Sequence, residues 1–197
     1  MTVPESLNGL VLAGGKSRRM GSDKAALRAG GETQLARAVN LLLRHVGDVF
    51  VSTAADQTDD PLRQNFRQIV DRYEDMGPVA GIMSALDTSP QHSWLVLACD
   101  LPNIDDGTIE FLIRNASAEK PFTAYRSVND GLPEPLCAIY RPESRSHIDR
   151  FVAEGIVCPR KMLINSPTTL LEQPNPGALH NINTPADLDG TDVDLAS

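Results

Sequence analysis

Residues 9–24, GLVLAGGKSRRMGSDK, hold the densest set of groups able to do chemistry. The apolar run Leu10-Val11-Leu12 reads as a buried strand that breaks at Ala13-Gly14-Gly15. Small residues there let a backbone lie close against a ligand. Four cations follow: Lys16, Arg18, Arg19 and Lys24. A strand, a glycine turn, a basic loop and then a helix make a polyphosphate site. Backbone N–H groups bind the oxygens, and the cations neutralise the charge. The alternative is a tight turn carrying solvated charges. Four cations on one glycine turn exceed what a turn requires. The run is neither a Walker A loop, because Leu10 stands where that pattern needs glycine, nor Gly-x-Gly-x-x-Gly.

Two aspartates end other apolar runs. Asp100 follows Trp94–Cys99, and a carboxylate facing a triphosphate loop suits Mg²⁺, which takes one or two carboxylates plus phosphate oxygens and water. A turn-capping aspartate is the competing reading. Asp71 follows Gln68-Ile69-Val70 and is either an acceptor for a base or ribose or an ordinary loop residue. Arg160-Lys161 either face an anionic second substrate or form a solvated pair. His45, His92, His147 and His180 are scattered, with no metal-ligand spacing and no Ser-His-Asp or Cys-His pattern.

These residues need a scaffold. A helix is expected over 33–45, with Thr33 as N-cap, and strands over 49–51 and 68–70. A short helix is expected over 61–67, and Pro78 opens a helix running to about Leu86. The continuously apolar 94–99 reads as a parallel strand covered on both faces. Further helices are expected over 106–115 and 143–154, and strands over 122–125, 136–140 and 167–171. Residues 156–165 are ambiguous. Thr184-Pro185 opens a last helical turn. Alternating strands and helices give an α/β fold with a mostly parallel sheet, in which ligands bind beyond the carboxyl ends of the strands. The stretch 13–24, Asp71 and Asp100 fall at three such ends and are expected to share a crevice.

At 197 residues the chain suits one core, with residues 1–188 as the domain and 189–197 as a flexible acidic tail. The net charge of −8 argues against a general nucleic-acid binder and makes the basic loop a local exception, suited to a discrete anionic ligand. Cys99, Cys137 and Cys158 have no zinc or redox spacing and read as reduced, buried thiols of a cytosolic protein. The N-terminus lacks signal-peptide regions, and no apolar run reaches the ~20 residues of a membrane span.

The run from Leu12 to Lys24 closely resembles the LAGGxSxRMGxDK signature of the molybdenum cofactor guanylyltransferases, members of the nucleotidyltransferase superfamily. The resemblance continues through Gly77-Pro78-Val79-Ala80-Gly81, Cys99-Asp100-Leu101-Pro102, Pro135–Tyr140 and Asn181–Leu188. It implies a single Rossmann-like three-layer domain, one strand running against an otherwise parallel sheet. It also implies transfer of GMP from Mg-GTP to molybdopterin with release of pyrophosphate. Leu12, Ala13, Gly14 and Gly15 would line the nucleotide site, and Arg19 and Lys24 would hold phosphates. Asp71 would contact the nucleoside, Asp100 would bind Mg²⁺, and Asn183 would lie near the pterin.

The family often has Asn where this chain has Ser52, a candidate base contact, so a cytidylyl or other nucleotidyl transfer to molybdopterin or a sugar phosphate stays open. A nucleotide-binding regulator or cofactor carrier is the non-enzyme alternative. Partners implied are GTP, molybdopterin and other molybdenum cofactor biosynthesis proteins, with no nucleic acid and no membrane.

Overall fold

The computed structural model describes residues 6–13, 23–29, 31–181 and 193–194, and for Lys24, Ala29, Val193 and Asp194 the backbone alone. In chain order the strands are β1 (Leu7–Leu12), β2 (Arg28–Ala29), β3 (Glu32–Thr33), β4 (Val49–Thr53), β5 (Gln68–Val70), β6 (Ser93–Ala98), β7 (Phe122–Arg126), β8 (Pro133–Tyr140), β9 (Thr168–Leu171) and β10 (Val193–Asp194). The helices are α1 (Gln34–Leu43), α2 (Pro78–Thr88), α3 (Asp106–Arg114), α4 (Ser144–Ala153) and α5 (Pro159–Ile164).

Among the described residues the main sheet has seven strands in the order β5-β4-β1-β6-β8-β7-β9. β1 is parallel to β4 and β6, and β4 to β5. β8 runs antiparallel to both β6 and β7, and β9 is parallel to β7. The α/β class and the single reversed strand are as the resemblance implies.

Alternation of side chains along each strand feeds two cores, one per sheet face. On one face Val11, Val51, Leu95 and Leu97 meet Leu35, Val39 and Leu42 of α1 and Ile109 and Leu112 of α3. On the other, Leu10, Trp94, Val96 and Ala138 meet Val79, Ile82 and Leu86 of α2, Ile148 of α4 and Met162 and Leu163 of α5. β6 is buried along its whole length, which accounts for its continuously apolar sequence.

Local signals act where expected. The Thr33 hydroxyl accepts from the Ala36 N–H and caps α1. Pro78 occupies the first turn of α2, after Gly77 at φ 53°, a left-handed conformation that glycine adopts without strain. The expected helix over 61–67 is a single 3₁₀ turn, Arg63–Asn65, and 156–165 contains α5. The small sheet β10-β2-β3 was not expected: two-residue strands leave no periodicity to read. Its β10 lies in the stretch read as tail, with Val193 opposite Ala29. The helical turn expected at Thr184-Pro185 lies outside the described residues.

No helix among the described residues is long and apolar enough to cross a membrane. All three cysteines are free thiols, Cys99 and Cys137 buried as expected, but Cys158 exposed because it sits at the N-cap of α5.

Candidate active site at the carboxyl edge of the sheet

Strand register builds the site. Leu12 is level with Ser52 of β4 on one side and with Ala98 of β6 on the other. Thr53 is level with Val70 of β5. The residues that leave these strands therefore emerge from one edge: Ala13 after β1, Asp71 after β5, and Cys99-Asp100 after β6. The Asp71 N–H donates to the Thr53 carbonyl (2.9 Å), and the Cys99 N–H to the Leu12 carbonyl (3.3 Å), carrying the alignment past the strand ends.

Ser52 is buried, and its hydroxyl donates to Asp71 Oδ1 at 2.7 Å. Burial pushes the Asp71 carboxyl up from its ordinary pKa, and this hydrogen bond partly opposes it. α2 closes over the pair. A Cβ added at Gly81 would lie 2.2 Å from Ser52 Oγ and 3.0 Å from Leu12 Cδ2, so only glycine allows the helix this approach. The segment after Asp71 is tied to the same helix. The Arg72 N–H donates to Ser84 Oγ (2.9 Å), and the Tyr73 hydroxyl to Asp87 Oδ2 (2.6 Å).

Asp100 is half-buried in the turn after β6. Arg37 of α1 fixes that turn by donating to the Pro102 carbonyl at 3.1 Å. No group of three or more His, Cys, Asp or Glu able to hold a metal occurs among the described residues. The Asp100 carboxylate offers oxygen, the donor type that a hard cation takes alongside phosphate oxygens and water.

Ala13 is buried at the end of β1, where its carbonyl accepts from Arg63 Nη2 at 2.6 Å. Gly14, Gly15, Arg19 and Asn183 lie outside the described residues. Lys24 begins the 3₁₀ helix Lys24–Ala26, and its side chain likewise lies outside them.

Beside the Asp100 turn, a cavity of about 190 Å³ opens on the β8 side, lined by Leu101, Glu134, Pro135, Leu136, Cys137, Arg160, Leu179 and Asn181. Arg160 thus lines a cavity, but its guanidinium is paired with Asp130 Oδ2 (3.0 Å) and Glu134 Oε2 (2.9 Å). Lys161, next in α5, is exposed. Burial, with the Glu134 charge adding to it, pushes the Cys137 thiol up to about 12, so it stays protonated and is no nucleophile.

Sequence reasoning missed Arg63 and this cavity. Arg63 lies on the excursion between β4 and β5, where no periodicity or motif marks it. The cavity joins β8, α5 and the 179–181 segment, which only tertiary packing brings together.

Residues 9–168 match the family model described as the MobA-like NTP transferase domain. The chain is 37% identical over 181 residues to the molybdenum cofactor biosynthesis bifunctional protein of Synechocystis sp., covering 92% of this chain and 52% of that protein, about half its length. It is 32% identical over 194 residues to the probable molybdenum cofactor guanylyltransferase of Mycolicibacterium paratuberculosis, covering 92% of this chain and 93% of the relative. In fold it resembles the crystal structure of molybdopterin-guanine dinucleotide biosynthesis protein A from Archaeoglobus fulgidus, with a TM-score of 0.74 at 23% identity over 92% of this chain and 95% of that one. The chain belongs to the family of MobA-like NTP transferase domains.

Proposed function

We infer that this chain is a cytosolic nucleotidyltransferase that transfers GMP from Mg-GTP to molybdopterin, forming molybdopterin guanine dinucleotide and pyrophosphate. The observation that carries this reading is the single edge on which Leu12, Ala13, Ser52, Asp71 and Asp100 emerge from four adjacent parallel strands. The relatives' names supply the substrate class.

The acceptor's terminal phosphate is the nucleophile. Its oxygen forms a bond to the α-phosphorus of GTP, the bond to the β-phosphate bridging oxygen breaks, and pyrophosphate leaves. The protein contributes position and charge neutralisation rather than a covalent partner. Backbone groups of Leu12 to Gly15 approach the nucleotide, and Arg19 and Lys24 neutralise the phosphates. Asp100 would hold Mg²⁺, which when bound draws charge off the phosphate oxygens. The cavity beside the Asp100 turn is the volume available to the pterin, with Arg160 of α5 on its wall.

Asp71 favours guanine. An ionised carboxylate only accepts hydrogen bonds. The Watson–Crick edge of guanine offers two adjacent N–H donors, whereas cytosine sets an acceptor nitrogen beside its amino group. The Ser52 hydroxyl is already given to Asp71, so it orients the carboxylate.

The experiment is pyrophosphate release from each of GTP, CTP, ATP and UTP, with and without molybdopterin. Release from GTP with molybdopterin alone supports the reading. Release from CTP instead assigns a cytidylyltransferase. Tight GTP binding with no turnover in any mixture assigns a regulator or carrier. Pull-down of other molybdenum cofactor biosynthesis proteins on the purified chain tests the partner expectation.

A further inference from the structure

We propose that Arg63 is a positioning residue for phosphate binding that ties together Ala13 and Asp23, the two residues that flank the 14–22 stretch. This rests on the nucleotidyl-transfer reading above.

Arg63 is only 1% exposed, yet it lies on the connection between β4 and β5. Its Nη2 donates to the Ala13 carbonyl at 2.6 Å. Its Nη1 reaches Asp23 Oδ2 at 2.7 Å and Asp60 Oδ1 at 3.0 Å. Ala13 immediately precedes the 14–22 segment, and Asp23 immediately follows it. One guanidinium therefore bridges the entry and exit of the stretch that carries Lys16, Arg18 and Arg19.

The bridge continues toward Lys24. The second oxygen of Asp23, Oδ1, accepts from the Ala25 N–H at 3.0 Å, and the Ala26 N–H donates to the Asp23 carbonyl at 3.0 Å. These bonds start the 3₁₀ helix whose first residue is Lys24. Arg63 thus holds the backbone start of that helix through Asp23. Asp60 in turn fixes Arg63, accepting from its backbone N–H (3.0 Å) as well as from Nη1.

A buried guanidinium is a costly way to stabilise a surface connection, since apolar packing of similar volume does it as well or better. Its rigid, planar fork is suited instead to reaching two separate acceptors at a fixed spacing. Flanks held at a fixed spacing before a phosphate ligand arrives suit binding, because each residue ordered in advance is entropy not lost on binding. A lysine presents a single ammonium and cannot reproduce the bridge.

The test compares wild type with Arg63→Lys, Arg63→Ala and Asp23→Asn in binding Mg-GTP, magnesium pyrophosphate and guanosine, alongside a thermal melt of each protein. Arg63→Lys should weaken GTP and pyrophosphate roughly tenfold, with guanosine within about twofold and the melt nearly unchanged. Guanidinium ion should restore part of the phosphate affinity of Arg63→Ala. Should either Arg63 variant fail to fold, Asp23→Asn carries the test. It keeps an oxygen for the Ala25 N–H but removes the charge facing Arg63, and should weaken both phosphate ligands about threefold or more. Unchanged phosphate affinities, or guanosine falling in step with GTP, would overturn the proposal. Failure of the nucleotidyl-transfer reading is separable: the pyrophosphate arm needs neither the base nor turnover.

Discussion

The hydroxyl of Ser52, at the end of β4, donates a 2.7 Å hydrogen bond to the carboxylate of Asp71, just beyond β5. It is a donor kept buried for one acceptor, and it holds that acceptor against a pKa raised by burial. A carboxyl whose folded pKa lies above its unfolded value makes the native state bind its proton more tightly. Stability then falls as pH rises from the usual aspartate range through the raised value, and at neutral pH the charge is a cost. Asp71→Asn should therefore melt at a higher temperature than wild type at pH 7, with the difference vanishing in acid. It should also bind GTP about tenfold more weakly, since the amide offers a donor where guanine needs acceptors. Calorimetric melts across pH, paired with GTP titrations, read both effects. A variant that melts lower at pH 7, or that binds GTP as wild type does, contradicts this role.

Gly81 sits against the same hydroxyl. Gly81→Ala forces a Cβ to within 2.2 Å of Ser52 Oγ and 3.0 Å of Leu12 Cδ2. Overpacking of this kind costs about 1–3 kcal/mol. Urea unfolding should show that loss, and Ser52→Ala in the same chain should return part of it by removing the nearest atom. A fully additive double mutant would mean that the helix moves away as a body.

The stretch after Asp71 depends on a three-residue network. Arg145 of α4 donates from Nε to Asp87 Oδ1 (2.8 Å) and from Nη2 to the Tyr73 hydroxyl (3.0 Å), while Tyr73 donates to Asp87. Burial alone would raise the Asp87 pKa, but the hydrogen bonds from Arg145 and Tyr73, with the Arg145 and Arg72 charges, together outweigh it and the net shift is downward. That stabilisation is present above the unfolded aspartate pKa and is lost as pH falls through the lowered folded value. Arg145→Ala should cost about 1–3 kcal/mol at pH 7, chiefly by leaving the Asp87 carboxylate without its cation. The gap from wild type should narrow below pH ~4, the usual aspartate range. Unfolding curves at pH 7 and in acid check this, and a gap independent of pH would point to lost packing instead.

Much of this was legible in the sequence. The α/β class follows from apolar runs alternating with helical periodicity, and Asp71 and Asp100 stood out because each ends such a run. The Ser52–Asp71 bond was not legible, because pairing across β4 and β5 is a matter of register. Arg63 was invisible for a related reason: its contacts with Ala13 and Asp23 join residues far apart in the chain, and nothing in its own neighbourhood marks it. The Arg160-Lys161 pair left two readings open in the sequence, an anionic substrate or solvent. The match of the Arg160 guanidinium to Asp130 and Glu134 was not legible, because it depends on where α5 packs.

The metal role assigned to Asp100 has its own test. Asp100→Asn keeps the side chain's size but lowers the charge available to a divalent cation. The Mg²⁺ titration of turnover should shift to at least tenfold higher concentration, and turnover at saturating metal should fall about a hundredfold. An unchanged titration would remove Asp100 from the metal role.

In the proposed reaction the α-phosphate of GTP is joined to molybdopterin. GTP labelled at the α-phosphorus, incubated with molybdopterin, Mg²⁺ and the purified chain, tests it directly. The label should move into a pterin dinucleotide, one pyrophosphate appearing for each label transferred. Label that stays in GTP, or that passes only from labelled CTP, would contradict it.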